Sequence, residues 1–169
     1  MREPGFVLKF LLLAIAQMLL WNYFNFSQYV MLVFLPVLIL CIPVNKGTIF
    51  AMVVAFITGF AVDFFASGML GLTSLALVPV GLARKGIIRL VCGEEVFSRG
   101  ENISIKRQGL PKMALCILMS TALFLIVYIW ADGAGTRPMW FNLVKFASSL
   151  LLGTIVSLFI ANLFESNSK

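Results

Sequence analysis

Six apolar runs, parted by breaks that hold the chain's turn residues and most of its charges, fill the sequence from Phe6 to Phe164. A helix that crosses the hydrocarbon core of a bilayer needs roughly 17–25 residues, and runs of this order cannot all be hidden inside a water-soluble fold of 169 residues. Small domains keep much of their surface exposed. Composition points the same way: 61% of residues are apolar and 12% charged, against about 45–50% and about 25% in soluble domains. The implied solvent is lipid, and residues 1–169 read as a single integral membrane domain. The runs are continuous rather than alternating, which favours helices over a β-barrel.

The first run, Phe6–Phe24, carries Lys9, whose long stem lets its ammonium reach the interface. Ala14-Ile15-Ala16 resembles a signal-peptide cleavage site, but only four apolar residues separate it from Lys9, where an h-region takes about 7–15. An uncleaved first span is expected. The second run, Tyr29–Val44, contains Pro36 and ends at Pro43. Asn45-Lys46-Gly47 turns into the third, Thr48–Ala66, and Ser67-Gly68 separates that from the fourth, Met69–Ala83, with Pro79 inside it. A basic stretch, Arg84–Lys112, precedes the fifth, Met113–Ala131. Asp132-Gly133-Ala134-Gly135 opens the last loop, and Phe141–Phe164 is the sixth run. The second and fourth are short for a span and must borrow interfacial residues, thin the bilayer or hide behind neighbours. Their prolines are tolerated where neighbouring helices satisfy the freed carbonyls.

The expected fold is all-α: six transmembrane helices with both termini in the cytoplasm. That orientation places eleven of the thirteen Lys and Arg residues inside and leaves Arg137 and Lys145 outside, as the positive-inside rule requires. It also gathers Trp21, Tyr23, Tyr29, Tyr128, Trp130 and Trp140, every Trp and Tyr of the chain, at the outer interface, where amphipathic rings anchor.

Several chemistries are disfavoured. The net charge of +6 is spread around the spans rather than along a basic face, so nucleic acid is not expected. There is no histidine, and Cys41, Cys92 and Cys116 have no metal-site spacing, so no metal or cofactor is expected. No phosphate-cradling glycine loop, nucleophile elbow or zinc-protease helix occurs.

Asp63 is the one acidic residue placed inside a span, and an intramembrane carboxylate is a functional candidate by default. Its position about one turn from the outer end of the third helix leaves a second reading open, in which it bonds to backbone at the Ser67-Gly68 turn or pairs with Arg137. Small residues recur every fourth position at Gly47, Ala51, Ala55 and Gly59 ahead of Asp63, and again at Ser149, Gly153, Ser157 and Ala161. Such stripes let helices approach closely, whether inside the chain or against a partner. The basic cytoplasmic loop 84–112 holds seven basic and three acidic residues. It either lies on anionic lipid or docks a partner.

From Val33 to Ala76 the chain resembles the MreD rod-shape-determining family. The residues that carry the resemblance are Phe34-Leu35-Pro36 leading into the second helix, Asn45-Lys46-Gly47 before the third, Phe56, and Gly59-x-x-x-Asp63. The small-residue turn at Ser67-Gly68 and Leu70-Gly71-x-x-x-Leu75-Ala76 complete it. Membership implies a non-enzymatic inner-membrane scaffold of the bacterial lateral cell-wall elongation machinery. The fold implied is that of the six-helix substrate-binding subunits of energy-coupling-factor transporters. Implied partners are an MreC-like bitopic membrane protein, the MreB filament, and the RodA glycosyltransferase with its penicillin-binding transpeptidase. Gly59, Asp63, Gly68 and Gly71 are then expected to hold the third and fourth helices in their hairpin, with Pro36 as a further structural or interface candidate. The alternative is a small-molecule-binding subunit of such a transporter, for which the spans offer Thr48, Thr58, Asp63, Thr73 and Ser74.

Overall fold

The computed structural model describes residues 4–23, 30–67, 70–94, 109–133 and 138–166. Gly68, Tyr29, Arg137 and the middle of the basic stretch lie outside them. The elements of the described chain are all helices: α1 (Pro4–Tyr23), α2 (Leu35–Leu40), α3 (Thr48–Val62) continued by a π-helical turn (Asp63–Ser67), α4 (Leu72–Cys92), α5 (Leu110–Gly133) and α6 (Met139–Ser166). Three stretches are long and apolar enough to cross a membrane: Thr48–Phe65, Leu110–Gly133 and Met139–Leu163. Their outward faces are apolar as well. Val53, Ile57 and Phe60 of α3 and Leu151, Ile155 and Phe159 of α6 are exposed, a surface that suits lipid and is rarely left to water over so large an area.

The second run departs most from the sequence reading. Instead of a helix from Tyr29 to Val44, only the six residues Leu35–Leu40 are α-helical. Pro36 sits in the first turn of α2, where its missing N–H would have had no partner within the helix. Upstream, residues 30–34 leave the helix and bond sideways. Gln17 Nε2 and Trp21 Nε1 of α1 both donate to the Leu32 carbonyl at 3.0 Å, and Phe34 N donates to Gln17 Oε1 at 3.1 Å. On the opposite side Met31 N donates to Ser149 Oγ of α6 at 2.9 Å. Even-numbered positions thus turn their backbone to α1 and odd-numbered Met31 turns to α6, the alternation of an extended chain. The extended residues 30–33 and the six-residue helix that follows Phe34 reach about 22 Å together, more than twice the helix alone. Irregular backbone at membrane depth is tolerated only where protein encloses it, and residues 33–40 are all buried.

This central segment divides the core between two apolar clusters. Leu35, Leu38, Ile39 and Ile42 pack with Ala51, Ala55 and Val62 of α3, Ala76, Leu77 and Val80 of α4, and Phe124, Leu125 and Tyr128 of α5. Phe34, Val37, Leu40 and Val44 pack instead with Ile87 and Ile88 of α4, Met113, Cys116 and Ile117 of α5, and Ile160 and Ala161 of α6.

The fourth run also differs, by being longer. α4 continues nine residues past Ala83, to Cys92, so the start of the basic stretch is the last part of a 21-residue helix about 31 Å long. The first charge does not stop the helix because Arg84 turns inward. Its Nε donates to the Leu40 carbonyl at 3.3 Å and its Nη2 to the Ile42 carbonyl, leaving Arg84 1% exposed. These are carbonyls at the C-terminal end of α2, where the helix dipole favours a cation. Farther along, exposed Arg89 pairs with Glu94 at 3.2 Å, and Lys112 belongs to the first turn of α5.

Of the aromatic residues expected at one interface, Trp130, Trp140 and Tyr23 are exposed. Trp21 and Tyr128 instead meet edge-on with ring centroids 6.0 Å apart, and Phe124 stacks on Tyr128. Their inward packing and the Trp21 hydrogen bond to Leu32 account for two members of the set without an interfacial role.

Candidate functional site: the Asp63 hairpin

α3 and α4 lie antiparallel, in contact along the small-residue face of α3. Ala51, Ala55, Gly59 and Asp63 are buried, while Gly47 at the start of the stripe is exposed. A Cβ on Gly59 would lie 2.6 Å from Ser74 Cα and 2.7 Å from Ser74 N. On α4, a Cβ on Gly81 would come within 3.1 Å of the Ala51 carbonyl oxygen and Met52 Cα. Two glycines, one on each helix, therefore set the separation of the backbones at both ends of the hairpin.

The close approach at Gly59 brings the next turn of α3 over the start of α4. There Asp63, fully buried, turns its carboxylate onto the N-terminal amides of its neighbour. Oδ2 accepts from Gly71 N at 3.0 Å, Thr73 N at 2.9 Å and Ser74 N at 3.3 Å, and Oδ1 accepts from Thr73 N at 3.1 Å. The first amides of a helix have no partner within it. A capping side chain usually comes from the residue at the helix start. Here that residue is Gly71 at φ +96°, which has no side chain to offer, and the cap comes from α3. Only glycine adopts this left-handed conformation without strain. The negative charge also complements the positive end of the helix dipole. Asp63 begins the π-helical turn, a local widening of the kind found at sites where a side chain must be re-aimed.

Of the residues singled out for the hairpin, the structure brings Gly59, Asp63 and Gly71 together, while Gly68 lies outside the described residues. Pro36 is buried in α2 and is not part of this site. The α6 stripe packs inside the chain: Ser149, Gly153, Ser157 and Ala161 are buried, Ser149 bonds to Met31, and a Cβ on Gly153 would lie 3.2 Å from the Val33 carbonyl oxygen.

Of the polar groups offered for a ligand pocket, Asp63, Thr58 and Ser74 are engaged within the hairpin. Thr58 Oγ1 donates to the Val54 carbonyl at 2.7 Å and Ser74 Oγ to the Phe56 carbonyl at 3.3 Å. Thr73 Oγ1, with Ser120 and Thr121 of α5 and Ser157 of α6, is buried without a hydrogen bond. No group of three or more His, Cys, Asp or Glu among the described residues is placed to hold a metal.

Gln17 and Arg84 carry as much of the buried polar bonding as Asp63, yet sequence reasoning passed over Gln17 and left Arg84 in a surface loop. Gln17 had a signal, being the one polar residue between Phe10 and Trp21, and such residues face the interior of a bundle. At the other end of α5 and α6, Lys145 pairs with Asp132 at 3.2 Å, so the lone basic residue expected in the sixth run is neutralised locally.

Comparison with known proteins finds no match: no family model, curated protein or solved structure is similar to the chain. A functional reading therefore rests on its own residues.

Proposed function

We propose that the chain is a non-enzymatic scaffold of the MreD kind. It would sit in the bacterial inner membrane in six passes with both termini in the cytoplasm, and would help to organise the cell-wall elongation machinery of rod-shaped cells. The observation that carries the reading is the use made of Asp63. Its carboxylate is taken up by three backbone amides of α4, which is what a residue that builds a rigid hairpin does. A general base or an ion ligand needs free lone pairs directed at its substrate. The residues of the resemblance, Gly59, Asp63 and Gly71, are those that form this hairpin.

Six passes are supported by reach. Residues 30–40 cover about 22 Å of a hydrocarbon core of about 30 Å, and α4, about 31 Å long, covers all of it. The positive-inside rule orients them. The partners proposed are an MreC-like bitopic protein and, through it, the MreB filament, the RodA glycosyltransferase and its penicillin-binding transpeptidase, engaged by helix packing without turnover.

The test is genetic and biochemical together. Asp63→Leu or Gly59→Leu, expressed as the only copy, should reduce co-purification of the MreC-like partner and round the cells. Unchanged recovery and unchanged shape with both substitutions would sink the assignment. The buried, unbonded hydroxyls of Thr73, Ser120, Thr121 and Ser157 are the observation that favours the small-molecule-binding reading. A saturable, micromolar affinity for a vitamin-like solute, lost in Thr73→Val, would establish it.

A further inference from the structure

Arg84 is a buried guanidinium with no countercharge among the described residues. It is 1% exposed, two of its nitrogens bond to the carbonyls of Leu40 and Ile42, and the third, Nη1, is buried with no hydrogen-bond partner. No ion pair to it is found among the described residues. The described acidic groups serve elsewhere: Asp63 caps α4, Asp132 pairs with Lys145 and Glu94 with Arg89. Two neutral carbonyls satisfy donors but do not balance a charge, and an uncompensated charge in a medium of low dielectric is costly.

The surroundings indicate what could balance it. The Ile42 carbonyl, which accepts from the guanidinium, belongs to the turn that joins α2 to α3. Cys41 and Pro43 are half-buried there, and Asn45, Lys46 and Gly47 are exposed. Lys85 adjoins Arg84 in sequence and is half-buried, and Lys46 reaches over the Phe50 ring at the foot of α3. A guanidinium matches the paired oxygens of a phosphate better than any other side chain does. Basic pockets between membrane helices are where anionic lipid headgroups seat.

We propose that Arg84 and the turn Cys41–Gly47 form a site for one phosphate-bearing anion, with Nη1 as its anchoring donor and Lys46 and Lys85 as its outer cations. The phosphate comes either from the headgroup of an anionic phospholipid or from free inorganic phosphate. The inference requires only that the chain sits in a membrane. It does not depend on a role in wall elongation, and lipid binding and cell shape are read separately.

The full chain, purified in detergent with phosphatidylcholine, is titrated with phosphatidylglycerol in one arm and inorganic phosphate in another, while thermal unfolding and the alkylation rate of Cys41 are followed. Saturating anion should raise the Tm by about 5 °C and slow labelling of Cys41, with added phosphatidylcholine doing neither. A response to phosphatidylglycerol alone assigns the site to the lipid, and a response to phosphate alone assigns it to the free ion. Arg84→Gln should abolish the rise, while Lys112→Gln, at an exposed cation that is not part of the proposed site, should keep it. Where Arg84→Gln does not fold, the Cys41 protection in the unmodified protein decides. No anion-dependent protection of Cys41, or a Tm rise kept in Arg84→Gln or lost equally in Lys112→Gln, overturns the proposal.

Discussion

The α3–α4 hairpin and the broken second segment face the same difficulty and meet it differently. Each buries backbone groups that a continuous helix would have bonded internally, in surroundings where an unpaired amide or carbonyl is expensive. At the hairpin one charged group, Asp63, serves three amides from 8 to 11 residues away. At the break the work is shared among neutral groups, Gln17, Trp21 and Ser149, with Arg84 at the far end. Its partners lie 11, 15, 17, 42, 44 and 118 residues apart in sequence. The hairpin is therefore a local device that concentrates its stability in one residue. The break is assembled by the whole bundle, and no single contact dominates it.

The largest expected effect is at the hairpin. Asp63→Leu leaves the buried amides of Thr73 and Ser74 and the half-buried amide of Gly71 without an acceptor and should lower stability by roughly 3–5 kcal/mol, since each unsatisfied buried group costs roughly 1–3 kcal/mol. Thermal unfolding in detergent reads the loss. Asp63→Asn keeps one acceptor oxygen and should recover about half of it. Gly59→Leu comes next. Its side chain meets the backbone of Ser74 rather than a movable side chain, which puts the cost at or above the upper end of the roughly 1–3 kcal/mol typical of overpacking.

The sequence showed the hairpin because its parts are close together. A glycine four residues before an aspartate, a break, and a second glycine opening an apolar run describe the close approach, the cap and the helix start within one window. The break was hidden for the opposite reason. Periodicity reads residues 29–44 as one apolar helix, and only Pro36 hints otherwise. What replaces the missing helical bonds is a glutamine from α1 and a serine from α6, a pairing that appears only once the bundle has formed. Arg84 misled in the same way. A charge after an apolar run normally marks the membrane boundary, but a guanidinium that finds the open carbonyls of another helix can stay inside. The small-residue stripe at Ser149, Gly153, Ser157 and Ala161 was legible as a packing face, but its partner was not.

Smaller effects sharpen the contrast. Gln17→Leu leaves the Phe34 amide without an acceptor while Trp21 still serves the Leu32 carbonyl, so a loss of about 1–2 kcal/mol is expected. Ser149→Ala removes one neutral bond, from the amide of the extended residue Met31 to α6, and should cost about 0.6 kcal/mol, the scale of polar side-chain bonds within membrane bundles. If the break is cooperative, the double substitution should exceed the sum of the two. Strict additivity would mean that α1 and α6 hold residues 30–34 independently.

The carboxylate of Asp63 holds the start of α4, and backbone amide exchange tests this most directly. In the unmodified protein the amides of Gly71, Thr73 and Ser74 should be strongly protected. Asp63→Asn should speed their exchange while leaving the amides of Phe124 to Tyr128 in α5 as slow as before. Unchanged protection at Gly71, Thr73 and Ser74 in Asp63→Asn would contradict it.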